Sequence, residues 1–211
     1  MSKRKILLLA SALVMVAVLG IGGTLAYFTD KDEEINTFTV GNVDIDLTEP
    51  GWDPELGGTG EEEAKDVYPG EPLAKDPTIE NIGKNPCFVR ISVSNLDQFV
   101  AEYGENAMIG LRYQYVDGYN TNDWVLHTDG YYYYCPFIND TDRSGVLAIG
   151  VKTNPVFDQI VIPYALTNNE ATTPIEVKAE AVQAQGAKAS FSAVQAMTVE
   201  EIAAWFTTCG F

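Results

Sequence analysis

The sequence of 211 residues predicts an all-β protein, an antiparallel β-sandwich with short helical insertions and a short C-terminal helix. In several segments apolar and polar residues alternate with period two, as side chains do on a half-buried strand. Turn-forming pairs separate these segments, among them Pro69-Gly70, Asp117-Gly118 and Asp129-Gly130. A single domain is the simplest interpretation of this pattern.

The predicted elements follow one another with short connections. Alternation predicts half-buried strands at residues 43–47, 89–93, 111–115 and 175–181, and short strands at 131–134, 146–151 and 159–162. Residues 50–60 are rich in Pro and Gly and predict a solvated loop. Within the body of the chain, residues 95–103 predict a helix, because their apolar residues fall on one helical face.

The C-terminal part of the chain predicts a short helix at residues 199–207. Thr198 and Glu201 have the spacing of a capping box, in which each side chain bonds the other residue's backbone N–H. Ile202, Ala203 and Phe206 supply an apolar face. We expect this helix to pack against one end of the sandwich; binding a partner is the alternative.

The N-terminus has the pattern of an export signal. Lys3, Arg4 and Lys5 precede an uncharged, mostly apolar stretch, and small residues follow at Thr24 and Ala26. This pattern predicts cleavage by a signal peptidase between Ala26 and Tyr27. An uncleaved membrane anchor is the alternative, and either outcome exports the protein.

The chain therefore divides into four predicted regions. A signal peptide covers residues 1–26, and an N-terminal segment covers residues 27–42. The β-sandwich domain covers residues 43–190, and a C-terminal helical segment covers residues 191–211.

The charge balance excludes several classes of partner. The formal net charge is −17, and removal of residues 1–26 takes away three basic residues and no acid, which leaves −20. Nucleic acid needs clustered Lys and Arg, so we predict no nucleic-acid partner. Anionic membrane surfaces are disfavoured for the same reason. If copies of the chain assemble, their assembly should quicken with salt or divalent cations, because like-charged subunits repel.

Few residues are candidates for catalysis or redox chemistry. His127 is the sole histidine, whereas catalytic zinc usually takes more than one, so a solvent-facing or hydrogen-bonded role is expected and no enzymatic activity is predicted. Cys87, Cys135 and Cys209 allow at most one disulfide. Small buried side chains without any disulfide are the alternative for the cysteines.

Calcium is the candidate inorganic ligand, and no other cofactor is predicted. Asp140, Asp142 and Ser144 supply oxygen atoms at alternate positions before Gly145, as in the first half of an EF-hand loop. A plain Asp-rich hairpin turn is the alternative. Asp53 and residues 61–63 form a second acidic cluster, interpreted as a solvated loop whose charges calcium could screen between subunits.

Three sequence blocks follow one another in the N-terminal half of the chain. Residues 22–30 read GGTLAYFTD, residues 38–45 read FTVGNVDI, and residues 68–71 and 76–83 read YPGE and DPTIENIG. In this order the blocks resemble the TasA/camelysin family of exported bacterial proteins. The first block is similar to the end of a signal peptide processed by a SipW-type signal peptidase, the second to the family's first mature strand, and the third to the turn and strand that follow.

The resemblance implies a jelly-roll-like β-sandwich and a structural function. Members of the family are secreted and polymerise into biofilm matrix fibres, in which an N-terminal segment adds as a strand to the neighbouring subunit. The donor-strand candidates here are Tyr27, Phe28, Ile35, Phe38 and Val40. An intramolecular first strand is the alternative for this segment, and it is preferred for residues 43–47.

We therefore expect a secreted structural subunit of an extracellular fibre or biofilm matrix, located in the matrix or at the cell surface. The expected partners are further copies in a filament, an accessory matrix protein, and a SipW-type signal peptidase during export. A monomeric secreted or surface binding module of the same fold is the alternative. Camelysin-like members have been described as metalloproteases, but this sequence has no H-E-x-x-H motif, which makes that activity the least expected.

Overall fold

The structure is a computed structural model that describes residues 42–66, 68, 70–94, 110–161 and 175–211. Antiparallel strands form most of its regular secondary structure. The described strands are β1 (Ile45–Thr48), β2 (Pro72–Ala74), β3 (Thr78–Asn81), β4 (Cys87–Ser94), β5 (Gly110–Tyr113), β6 (Val116–Asp117), β7 (Trp124–Leu126), β8 (Tyr132–Tyr134), β9 (Gln159–Val161) and β10 (Glu176–Gln183). The described helices are α1 (Gly60–Glu63), α2 (Phe191–Gln195) and α3 (Val199–Thr208), with 3-10 turns at Pro54–Leu56 and Ala64–Asp66. The predicted all-β class is confirmed.

The described strands form three antiparallel sheets. One sheet has the order β10-β4-β8-β7, the second has the order β2-β9-β5-β6, and β1 pairs with β3 in the third. The two four-stranded sheets pack against a shared main core, to which β4 contributes Val89 and Ile91, and β9 contributes Ile160. Ile79 of β3 lies in the same core. This arrangement is an all-β sandwich, as the alternation of apolar residues predicts.

Strand β4 is buried on both faces over its first five residues. Cys87, Val89 and Ile91 point into the main core, whereas Phe88 points into a second core on the opposite side of the sheet. The prediction of a half-buried strand at residues 89–93 is wrong at Arg90, which is 5% exposed. The C-terminal helices cover the face that alternation assigns to solvent.

The second core forms where α2 and α3 pack on the outer face of the β10-β4-β8-β7 sheet. The predicted capping box is confirmed, because Glu201 N–H donates to Thr198 Oγ1 at 3.3 Å and Thr198 N–H donates to a Glu201 carboxylate oxygen at 3.1 Å. Ile202 and Phe206 are buried against Phe88 and Tyr133. The helix therefore begins where the sequence predicts, but it packs on a face of the sandwich rather than at one end.

Arg90 is the polar centre of the second core. Its Nε and Nη2 atoms donate to Glu180 Oε2 at 2.7 and 2.6 Å, and its Nη1 donates to the Tyr133 hydroxyl at 2.9 Å. The guanidinium also lies 3.8 Å from the ring centre of Tyr131 and 4.4 Å from that of Phe206. Burial alone would lower the pKa of Arg90, but the hydrogen bonds to Tyr133 and Glu180 outweigh it and raise the pKa. The charge therefore links β4, β8, β10 and α3.

Two predicted strands differ from the structure. The strand at 111–115 ends at Tyr113, because Gln114 and Tyr115 adopt positive φ angles of 51° and 68° and form the turn of the β5–β6 hairpin. The segment 146–151 forms no continuous strand. Leu147 makes one antiparallel bridge with Cys87, and a turn with Gly150 at φ 70° follows. Each turn reverses the chain before a longer ladder can form.

The remaining differences concern irregular segments. Residues 50–60, predicted as a solvated loop, contain the 3-10 turn Pro54–Leu56 and the first residue of α1. Strand β2 has no counterpart among the predicted strands. The helix predicted at residues 95–103 lies outside the described residues. The other predicted strands, at 43–47, 131–134, 159–162 and 175–181, overlap β1, β8, β9 and β10.

Replacement of Phe206 by Ala tests the second core. The ring is fully buried and contacts Tyr133 and the Arg90 guanidinium, so its loss should lower the free energy of unfolding by about 3–5 kcal/mol. Phe211→Ala is the matched control, because that ring is 55% exposed and its loss should cost about 1 kcal/mol or less. Urea denaturation monitored by circular dichroism measures both values. Equal effects of the two substitutions would contradict the assignment of a second core.

Candidate functional site: a groove between β1 and β10

Two strand edges border an opening into the main core. Among the described strands, β1 pairs with β3 alone and β10 pairs with β4 alone. Each strand therefore has a second edge that no described strand covers. The backbone N–H and C=O groups along such an edge can pair with another extended segment.

The walls of this opening are apolar. Leu47 of β1 faces Ile175 and Val177 at the start of β10, and these side chains pack against the main core yet remain half-buried. Ala179 and Ala181 continue the same face of β10 and are also half-buried. We call the space between the two strands the β1–β10 groove.

The groove widens into a cavity of about 780 Å³ where β1 ends and β10 begins. The cavity is lined by residues of β1, of the segment that follows β1, and of β10: Leu47, Thr48, Glu49, Trp52, Asp53, Pro54, Glu55, Glu61, Lys75, Ile175 and Val177. This volume lies within the range of about 300–1,000 Å³ that is usual for small-molecule sites.

The segment 51–63 forms one wall of this cavity and is held in place by tight packing. Gly51 N–H donates to Asp76 Oδ1 at 2.6 Å, and Trp52 N–H donates to the Glu49 carbonyl oxygen at 3.0 Å. A Cβ atom at Gly60 would collide with the Ala74 carbonyl oxygen, so glycine is required there. Burial raises the pKa of Asp76, although the hydrogen bond from Gly51 opposes that shift.

A buried ion pair lies at the base of the cavity. Lys75 Nζ donates to Glu49 Oε2 at 2.7 Å, and the Lys75 ammonium lies 4.6 Å from the ring centre of Trp52. The side chains of Lys75 and Glu49 are 7% and 18% exposed. The second carboxylate oxygen, Glu49 Oε1, is buried and accepts no hydrogen bond within the part of the chain that the structure describes. Three further carboxylates line the cavity, those of Asp53, Glu55 and Glu61.

This arrangement suits the binding of an extended peptide. The edges of β1 and β10 that no described strand covers can offer backbone hydrogen bonds, and an apolar wall can pack against every second side chain of an added strand. No sequence motif marks Glu49, Trp52 or Lys75 as members of a site. The alternation at residues 175–181 is the signal that reveals the apolar face of β10, but it does not show that this face stays half-buried.

The residues predicted for cleavage and strand donation lie outside the described residues. They are Thr24 and Ala26 at the cleavage site, and Tyr27, Phe28, Ile35, Phe38 and Val40 in the donor segment. Their functions therefore remain predictions.

Of the predicted calcium residues, Asp140 and Asp142 lie in a turn closed by an antiparallel bridge between Phe137 and Arg143, and Ser144 follows that bridge. Asp142 is engaged by Asn139, whose Nδ2 donates to Asp142 Oδ2 at 2.8 Å. Asp140 is exposed, whereas Ser144 is buried. Among the described residues, no three His, Cys, Asp or Glu side chains are grouped so that they could hold a metal ion. The turn itself matches the alternative of an Asp-rich hairpin, and calcium binding stays a prediction.

His127 packs against a residue of the second core, and two of the three cysteines are buried. His127 Nδ1 lies 3.1 Å from Asp129 Oδ1, and its ring packs edge-on against Tyr133. The three cysteines are unpaired, with Cys87 and Cys135 buried and Cys209 exposed. Burial raises the pKa of the Cys87 thiol to about 12 and that of Cys135 to about 11. Thiols with such pKa values carry little thiolate at neutral pH and are poor nucleophiles.

The N-terminal part of the chain has a recognisable family relationship. Residues 2–87 match the family model described as camelysin metallo-endopeptidase. The predicted resemblance to the TasA/camelysin family is confirmed over this range. The matched range includes β1, β2, β3 and the wall formed by residues 51–63, whereas β10 lies beyond it.

The other comparisons add no relative. No curated protein and no solved structure matches the chain significantly. In the ranges that the structure describes, no helix is long and apolar enough to cross a membrane.

Replacement of Lys75 by Met tests the ion pair at the base of the cavity. This substitution leaves the Glu49 carboxylate buried without its cation, so it should lower the free energy of unfolding by about 2–4 kcal/mol. Adding Glu49→Leu should restore much of that loss, since no buried charge is then left unpaired. Thermal and urea unfolding of the single and double variants measure the coupling. Strictly additive losses would show that the two side chains do not interact.

Proposed function

We propose that the protein is a secreted structural subunit of an extracellular fibre or biofilm matrix. In this proposal the segment at residues 27–42 of one copy adds as a strand in the β1–β10 groove of the next copy. The observation that carries the proposal is the pair of strand edges, those of β1 and β10, on either side of a half-buried apolar face. The camelysin family match over residues 2–87 supports it.

The donor segment has side chains that suit the groove. Phe38 and Val40 are two residues apart and therefore lie on the same face of an extended strand. That face would pack against Leu47, Val177 and Ala179, while the strand's backbone pairs with β1 or β10. The donor and the acceptor are different surfaces, so each added copy offers a new acceptor and the assembly grows as a filament.

Secretion and processing belong to the same proposal. Cleavage after Ala26 by a SipW-type signal peptidase would free the donor segment outside the cell. Strand addition itself needs no cofactor, and calcium bound by Asp140, Asp142 and Ser144 or screening the acidic surface would be an accessory factor. An accessory matrix protein would act on the assembled filament. Because the mature chain is strongly acidic, growth should be faster at higher ionic strength.

Filament formation by the processed chain tests the proposal directly. Protein that begins at Tyr27 should form filaments visible by negative-stain electron microscopy. The same protein without residues 27–40 should remain monomeric in analytical ultracentrifugation, because it lacks the donor. Protein beginning at Tyr27 that stays monomeric at high concentration, with and without calcium, would favour the alternative of a monomeric surface binding module.

A substitution in the groove separates strand addition from other kinds of association. Val177→Arg places a long charged side chain on the apolar wall, so filament growth should fall at least tenfold. Val116→Arg is the matched control, because Val116 is 68% exposed at the edge strand β6 of another sheet. Light scattering measures growth, and circular dichroism confirms folding of both variants. Equal inhibition by the two variants would place the contact elsewhere.

A metallo-endopeptidase is the second candidate function, because the matching family model has that description. Under the structural proposal the purified protein should leave casein intact. Cleavage that is abolished both by a chelator and by His127→Ala would instead support the peptidase function. Cleavage that survives His127→Ala would point to a contaminating protease.

A further inference from the structure

We propose that the surface beside the start of β1 forms a second contact between copies of the chain in the filament. We call this surface the donor-exit patch, and it consists of the exposed side chains of Ile82, Ile149 and Val151. Its partner is the rim of the β1–β10 groove in the copy that receives the donor segment. This contact rests on the proposed function and adds to the strand itself a surface that holds neighbouring copies together.

Three exposed aliphatic side chains lie together at the end of β3. Asn81 N–H donates to the Val151 carbonyl oxygen at 3.1 Å, and Gly150 N–H donates to the Asn81 carbonyl oxygen at 2.8 Å. These bonds place the turn at Gly150 beside Ile82, which follows Asn81. Ile82, Ile149 and Val151 are 55%, 53% and 40% exposed. Large aliphatic side chains grouped on a surface are typical of a contact with another molecule.

The buried side chain of Asn81 holds the patch in place. Its Nδ2 donates to the carbonyl oxygens of Asn85 and Leu147 at 2.9 and 3.1 Å, and its Oδ1 accepts from Gly83 N–H at 3.0 Å. A Cβ atom at Gly83 would lie 2.6 Å from the Asp44 nitrogen, so the turn after β3 packs closely against the chain before β1. The patch is therefore a fixed surface, and a partner that docks on it orders little further chain.

The patch adjoins the point at which the donor segment joins the fold. Ile82 N–H donates to the Asp44 carbonyl oxygen, and Lys84 N–H donates to the Asn42 carbonyl oxygen, each at 3.1 Å. The chain between Asn42 and Asp44 therefore lies beside the segment that carries Ile82. Because Asn42 ends the N-terminal segment, the donor leaves its own copy next to this patch.

The short connection brings the next copy to the patch. In the proposed filament Val40 packs in the groove of the next copy, whereas Asn42 bonds to Lys84 within its own copy. Two residues span at most about 7 Å even when fully extended. The rim of the receiving groove must therefore lie against the surface around Asn42, where the donor-exit patch supplies exposed aliphatic side chains. Their burial removes apolar surface from water and strengthens the contact.

Replacement of Ile149 by Asp tests this second contact. Ile149 is exposed in a turn and lies outside the cavity lining, so the chain should still fold and its groove should still accept a strand. Filament growth by the chain that begins at Tyr27 should slow about tenfold or more, because the contact would bury a carboxylate without a partner. Ile138→Asp is the matched control, since Ile138 is 63% exposed in the turn closed by the bridge between Phe137 and Arg143, and growth should change by less than about twofold.

Peptide binding separates the patch from the groove. A fluorescent peptide of residues 27–40 is added to each chain at a concentration too low for filament growth, and its binding is followed by fluorescence anisotropy. The Ile149→Asp chain should bind the peptide as tightly as the unsubstituted chain does, because the peptide carries no donor-exit patch. Peptide binding that weakens as much as growth, or equal growth of the Ile149→Asp and Ile138→Asp chains, would overturn the second contact and leave strand donation intact. An unsubstituted chain that forms no filaments, or that does not bind the peptide, would overturn the proposed function as well.

Thiol labelling shows whether the patch is covered in the filament. Ile149→Cys and Ile138→Cys are each introduced in a Cys209→Ser background, which removes the exposed native cysteine and leaves the two buried ones. A maleimide should label the Ile149→Cys chain about tenfold or more slowly in filaments than in the monomer, because an interface excludes the reagent. The Ile138→Cys chain should be labelled at similar rates in both states. Equal rates in both states for the Ile149→Cys chain would overturn the second contact.

Discussion

The burial of the first five residues of β4 on both faces is the constraint on which the rest of the structure depends. Its inner face completes the main core, and its outer face completes the core under α2 and α3. A strand in that position must be paired along its length, and β10 pairs with all eight of its residues. Strand β10 is the last strand of its sheet among the described residues, and its inner face is half-buried against the main core.

Buried ion pairs hold the two walls of the groove. On the β10 side, Arg90 joins Glu180 to Tyr133 and packs against Phe206, so the register of β10 on β4 is tied to the position of α3. On the β1 side, Lys75 joins Glu49 to the chain that follows β2. A buried ion pair stabilises the fold only modestly compared with apolar packing. A strand register that separated the two charges would, however, be strongly destabilised, because a buried charge would lose its partner. The groove therefore has walls of defined geometry even where it is open.

The sequence predicts the local features of the fold well, and the non-local ones poorly. Period-two alternation locates β1, β4, β8 and β10, and the capping box at Thr198 locates α3. The alternation predicts a solvent-facing side chain at Arg90, because α3, the helix that covers it, lies more than one hundred residues away in the sequence. The sequence predicts Tyr115 to be a strand residue, because the turn that it forms with Gln114 contains no glycine to mark it. The groove cannot be predicted from the sequence for a related reason. Whether a strand edge is left uncovered depends on which strands pair in the folded structure, and the alternation of residues does not show this.

A crosslinking measurement tests the central claim, that the β1–β10 groove accepts a strand from another copy. Two variants are prepared in a Cys209→Ser background that begins at Tyr27, one with Phe38→Cys and one with Val177→Cys, and they are mixed during assembly with a short bis-maleimide. The account predicts a crosslinked dimer that contains one copy of each variant. A third variant carries both cysteines in one chain. If this variant crosslinks within the monomer, and the two mixed single variants never crosslink to each other, the donor segment fills the groove of its own chain and the account is wrong.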